Sequence, residues 1–147
     1  MEVLSMTAIG KSIDEMKIGD SAQIVKTITE GDIQLFARAT GDFNPVHLDQ
    51  AYAEKTMFKG RIAHGLFSVG LISTILGNIL PGHGTIYLSQ EVKFLAPVKI
   101  GDTITAKVEV IEVIPEKKRA KFRTSCMNQD GKLVVDGIAW VMPPKKL

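Results

Sequence analysis

The sequence predicts an α+β fold in which an antiparallel sheet wraps around one long buried helix. Three observations carry that expectation. Between Gly65 and Leu80, apolar positions such as Phe67, Leu71, Ile72, Ile75 and Leu76 go nearly all round a helical wheel. A helix that is apolar on every side has to be buried. From Thr85 onward the apolar period changes from 3.6 to 2, which is the pattern of strands. Polar turns at Gly101-Asp102, Pro115-Glu116-Lys117-Lys118 and Asp130-Gly131 divide that half into four runs, and the Asp-Gly pair is a strong hairpin signal.

Taken in order, Ala22 to Ile28 alternates loosely and reads as a strand. Thr29, followed by Glu30, Asp32 and the spacing Ile33, Phe36, Ala37, predicts an N-capped amphipathic helix that ends near Gly41. The segment Gly41 to His47 is expected to be irregular, because Pro45 lacks an N–H and pushes Asn44 out of the helical region. Asp49 can cap a short helix through Lys55. The apolar helix then runs from Gly65 until Pro81-Gly82 stops it. Strands are expected over Thr85–Leu95, Asp102–Ile114, Arg119–Asn128 and Leu133–Met142, with Ile104, Ala106, Val108 and Val110 on one face and Lys107 and Glu109 on the other. With the early strand the sheet has about five members.

The 147 residues contain no internal repeat and no Gly/Ser-rich linker, so a single domain over 1–147 is expected. A chain of this size buries about two thirds of its unfolded surface, enough for a real core. The net charge of +2 is too slight to argue for nucleic acid, which calls for a clustered basic stripe. A lone cysteine, Cys126, excludes an internal disulfide framework and a cysteine-based zinc site, and fits a reducing, cytoplasmic setting. The apolar stretch Val3 to Ile9 is a poor signal peptide, and no run reaches the roughly 20 residues that span a bilayer. Lys145-Lys146-Leu147 only half matches a Ser-Lys-Leu address. His47, His64 and His83 are too scattered to suggest a metal site, and there is no phosphate loop or nucleophile motif.

Asp42 and His47 are the residues to weigh for chemistry, because carboxylate and imidazole are common proton-transfer groups and both lie in an irregular segment. The turn at Asn44-Pro45 is what would bring them together. The plain alternative is a helix end followed by an Asx-type turn, with Asp and Asn bonding the local backbone. Gly65 opens the apolar helix, where an N–H without an internal partner could face a carbonyl oxygen gaining negative charge. Equally, Gly65 could serve tight packing and His64 could be a satisfied buried side chain. Ser73 and Thr74 would by default bond back along the helix. Lys117-Lys118-Arg119 reads as a solvated hairpin turn.

Phe36-Ala37-Arg38-Ala39-Thr40-Gly41-Asp42-Phe43-Asn44-Pro45-Val46-His47, followed by Ala53, resembles the signature of the MaoC-like, or hydratase 2, family of (R)-specific enoyl-CoA hydratases. Arg61-Ile62-Ala63-His64-Gly65, Pro81-Gly82-His83-Gly84 and Phe94-Leu95-Ala96-Pro97-Val98 are similar to further landmarks of that family. The resemblance implies a hot dog fold and an acyl-CoA substrate handled without a metal or other cofactor, in fatty acid or hydroxyalkanoate metabolism. It implies that Asp42 and His47 form a catalytic dyad that holds a water molecule. By the same resemblance, Gly65 binds the thioester oxygen through its N–H and Ser73 supplies a hydroxyl near the dyad. It further implies a homodimer or larger homo-oligomer. Dehydration of 3-hydroxyacyl groups on a carrier protein is the nearest alternative, then a non-catalytic acyl-CoA-binding module, and thioester hydrolysis is disfavoured by the Asp-Asn-Pro-His loop.

Overall fold

The computed structural model of the chain describes residues 9–146. The apolar stretch Val3 to Ile9 thus falls almost wholly outside the described residues, as does Leu147. Strand β1 (Ser21–Thr27) leads into helix α1 (Glu30–Thr40), then two single-turn helices, α2 (Pro45–Leu48) and α3 (Gln50–Ala53), and the long helix α4 (Gly65–Asn78). Strands β2 (Ile86–Phe94), β3 (Thr103–Ile114), β4 (Arg119–Met127) and β5 (Leu133–Met142) follow. All pair antiparallel in the order β1-β3-β4-β5-β2, which leaves β1 and β2 as the two edges.

Pleat alternation decides which side of the sheet becomes the core. Ile104, Ala106, Val108 and Val110 are fully buried, as expected, and register places Val110 opposite Phe122 and Phe122 opposite Ala139, both also fully buried. Helix α4 lies against this face and touches β1, β2, β3 and β4. The wrapped-helix architecture implied by the sequence is therefore present.

Burial of α4 is less complete than its composition predicts. Ile72, Ile75 and Leu76 are sealed, but Leu66 is 60% exposed and Gly70 and Ser73 are also open. These three residues fall at helical spacing on one stripe, the side that five strands of one chain do not reach. The helix also stops two residues before Leu80: the N–H groups of Leu80 and Gly82 turn back onto Ile75 O and Leu76 O at 2.9 and 3.1 Å, with Gly82 at a φ of 104°.

The α1 start is a reciprocal cap, in which Thr29 Oγ1 accepts from Asp32 N–H and the Asp32 carboxylate accepts from Thr29 N–H. Gly41 closes the helix at a φ of 78°, a conformation that favours glycine. The following loop corrects the expectation of irregular backbone through His47. Pro45 occupies the first helical position of α2, where a missing N–H costs nothing, and Asn44 Oδ1 accepts from Val46 N–H to cap the turn.

Ile72 lies mid-way along α4 with no exposed surface. Ile72→Ala should lower the unfolding free energy by about 2 to 5 kcal/mol. Urea denaturation read by linear extrapolation checks this, and a loss below about 1 kcal/mol would mean the helix is not the centre of the core.

Candidate active site

The site forms where the segment 61–64 is drawn between α2 and the strand region beyond β2. Ile62 N–H donates to Val46 O at 3.2 Å, Ala63 N–H donates to Val98 O at 2.7 Å, and Ile62 bridges to Lys99. These bonds hold residues 61–64 across the mouth of a cleft of about 460 Å³. Its lining is largely apolar, including Phe58, Phe94, Leu95 and Val135, with Asp42, His47, His64 and Ser68 as polar intrusions.

His47 projects from α2 and is buried. Its Nδ1 is 2.8 Å from Ile62 O. A carbonyl only accepts, so Nδ1 carries the hydrogen and the neutral ring keeps its lone pair on Nε2. Asp42 comes from the turn after α1, and its Oδ1 accepts from Asn44 N–H at 3.2 Å. A carboxylate oxygen of Asp42 and a ring nitrogen of His47 lie within 4.8 Å, a gap that one water molecule can bridge. The turn at Asn44-Pro45 thus brings the pair together.

His64 completes the cluster. It is 97% buried, and its Nε2 donates to the Asp42 backbone carbonyl at 3.1 Å. Its ring stacks on His47 with centroids 3.9 Å apart and planes 28° apart, and contacts Phe36 at 4.6 Å. Nδ1 of His64 is buried without a partner. The expectation that the histidines are scattered is therefore wrong for two of the three, because the 16 residues between His47 and His64 fold back on themselves.

Burial is the largest influence on His47 and pushes its pKa below the ordinary value of 6.5. The Ile62 carbonyl pulls the other way, His64 adds to the lowering, and the Asp42 carboxylate raises it. The net result is a ring held neutral near pH 7 and able to accept a proton through Nε2.

Gly65 is the first residue of α4, so its N–H has no acceptor within the helix, and it is exposed at the cleft. The Phe94 ring presses on it so closely that a Cβ there would sit 2.7 Å from Cε1. Ser73 is placed elsewhere: it is exposed, on the open stripe of α4, and does not line this cleft. Ser68, one helical turn beyond His64, is the buried hydroxyl that does line it. Spacing of four residues from His64 was the signal that could have found Ser68. Lys117, Lys118 and Arg119 are exposed at their hairpin.

Asp42, His47 and His64 are also the one cluster among the described residues that could hold a metal ion. The geometry suits proton handling better. Nearly parallel stacked rings present their lone pairs side by side instead of at a common point, and one nitrogen of each ring is already committed to a carbonyl.

Comparison with known proteins identifies the family. Residues 15–132 match the model of the MaoC like domain. The chain is 52% identical to an (R)-specific enoyl-CoA hydratase of Rhodospirillum rubrum over 90% of its own length and 92% of the relative's. It is 47% identical to a 3-hydroxybutyryl-CoA dehydratase of Methylorubrum extorquens, over 90% and 84% of the two chains. The structure superposes on the unliganded (R)-hydratase PhaJ1 of Pseudomonas aeruginosa with a TM-score of 0.88 at 48% identity, covering 93% of this chain and 88% of the other. With a family model matched over most of its length and relatives about half identical along nine tenths of it, the chain belongs to the MaoC-like family and has its hot dog fold.

Proposed function

We propose that the protein is an (R)-specific enoyl-CoA hydratase, a hydro-lyase that adds water reversibly and syn across a trans-2-enoyl-CoA to give an (R)-3-hydroxyacyl-CoA. The observation that carries this reading is the pairing of Asp42 and His47 across one water's width, in an apolar cleft beside the open N-terminus of α4. Relatives at about half identity are named for this chemistry in one direction or the other, on CoA thioesters. That favours CoA over a carrier protein, and a complete dyad argues against a module that only binds.

The tautomer of His47 sets the first step. With Nδ1 committed to the Ile62 carbonyl, Nε2 has a lone pair and no proton to give, so it accepts a hydrogen bond from the water held between it and Asp42. As the water oxygen bonds to C3, its O–H bond breaks and the dyad takes the proton. The π electrons move onto C2 and the thioester oxygen, where Gly65 N–H receives the developing charge. Such a donor is worth about 2.7 to 4 kcal/mol in the transition state. Return of the proton from the dyad to C2 on the same face completes a syn addition. Ser73 lies on the open stripe of α4, off this cleft.

We read residues 1–147 as one domain acting in the cytoplasm, in a dimer or larger homo-oligomer. No helix of the described residues is long and apolar enough to cross a membrane. Edge strand β2 exposes Ile86, Leu88 and Phe94, and Leu95 and Leu66 are open beside it. An unpaired apolar edge of this kind calls for a cover.

Purified protein should remove the conjugated absorbance of a short trans-2-enoyl-CoA without releasing thiol. Asp42→Asn and His47→Gln, each folded, should lower kcat by about a hundredfold or more; retention of normal turnover by either would sink the dyad. Because His47 is shifted downward, kcat/KM should stay level through neutral pH and fall only below 6.5 as Nε2 becomes protonated. An acidic limb centred at or above 6.5 would contradict that role. Sedimentation should show a dimer or larger species, and an active monomer would refute the proposed assembly.

A further inference from the structure

Arg61 is not part of the dyad, yet its guanidinium reaches both ends of the polypeptide that carries it. Nε–H donates to the backbone carbonyl of His47 at 2.7 Å. The two terminal nitrogens donate to the two carboxylate oxygens of Glu30, both at 2.7 Å. Glu30 is the first residue of α1, and the last turn of α1 delivers Gly41 and then Asp42. One planar group therefore fixes His47 directly and the start of the helical rod that leads to Asp42.

We propose that Arg61, oriented by Glu30, is a positioning residue that sets the placement of His47 against Asp42, an inference that rests on the hydratase reading of that pair. The neighbouring bonds show what the clamp adds. Ile62 already holds Val46 through its N–H and the His47 ring through its carbonyl. Those bonds fix the ring relative to residue 62, and the Arg61 fork fixes that whole assembly relative to α1. A pair whose carboxylate is half exposed adds little to global stability. Its three short bonds in fixed geometry instead supply orientation, and misplacement of a reacting group by about 1 Å can cost on the order of a hundredfold in rate. Lysine cannot reproduce a fork that bonds a carbonyl and both oxygens of a carboxylate at once.

The test compares Arg61→Lys, Arg61→Met and Glu30→Gln with wild type and with Arg38→Lys, an exposed α1 cation outside the network. Both Arg61 variants should lose about tenfold or more in kcat with KM changed less than about twofold. Glu30→Gln should lose less, and Glu30→Gln combined with Arg61→Lys should be no slower than Arg61→Lys alone. Arg38→Lys should match wild type. Long-range ¹H–¹⁵N NMR of the imidazoles gives a readout independent of turnover. Wild type should show His47 as the Nδ1–H tautomer, and the Arg61 variants should keep it, because Ile62 still holds Nδ1, but with the Nε2 resonance shifted or broadened as its separation from Asp42 varies. Unchanged kcat in the Arg61 variants, or an unchanged His47 Nε2 resonance in both, would overturn the positioning role. If Arg61→Met fails to fold, Glu30→Gln decides the same link from the exposed side of the pair. A wild type that shows the expected tautomer but does not hydrate enoyl-CoA would instead overturn the hydratase reading and leave the clamp standing.

Discussion

The constraint on which the rest depends is that α4 has no polar face. A helix with leucine, isoleucine, phenylalanine and valine on nearly every side is stable only under cover, and the concave face of the sheet provides it. That requirement sets the curl of the sheet and the alternation of β3 and β4. It also sets where α4 begins. The first turn of the helix emerges at the rim of the sheet, so an N–H without a partner is presented where Phe94 and the 61–64 segment meet. The geometry of the candidate site is thus a by-product of packing at one end of the core, and the open stripe of Leu66, Gly70 and Ser73 is what one sheet leaves uncovered.

Local bonding and the geometry of the proposed dyad turn out not to be rivals. Asp42 Oδ1 serves its own loop by accepting from Asn44 N–H, and Asn44 Oδ1 serves α2 by accepting from Val46 N–H. These short-range bonds give the loop its shape, and that shape is what sets His47 opposite Asp42. A carboxylate has two oxygens and about four lone-pair sites, so one backbone bond leaves capacity for a water. The His47 ring is likewise divided between a structural nitrogen, bonded to Ile62 O, and a chemical one.

What was legible in the sequence follows the range of the interactions involved. The strands, the Thr29 cap, the Gly41 end of α1 and the Asp130-Gly131 hairpin depend on neighbours a few residues away, and each lies within a residue or two of where the pattern puts it. The one-turn helix at Pro45 was missed because a proline at the first helical position looks the same as a proline that breaks a helix. His64 stacking on His47, and Arg61 reaching Glu30 31 residues away, depend on how segment 61–64 folds across the loop. No local spacing encodes that. Resemblance to a family supplied the dyad as a pair, while the physics of the sequence supplied only two candidate residues in one loop.

Burying a histidine beside a second histidine has a cost that also explains the clamp around it. His47 binds a proton less readily folded than unfolded, so its contribution to stability is fully present above pH 6.5 and is lost as pH falls toward the lowered folded value. Under the proposed mechanism activity and stability decline in the same direction, because the neutral form that packs well is the form proposed to accept the proton. Asp42 opposes the shift through its charge, and can do so only at short and constant separation, since Coulombic influence falls with distance. Desolvation sets how basic the ring is but has no preferred direction. Orientation has to come from directional bonds, and around His47 these are the Ile62 carbonyl on the ring and the Arg61 fork on the backbone.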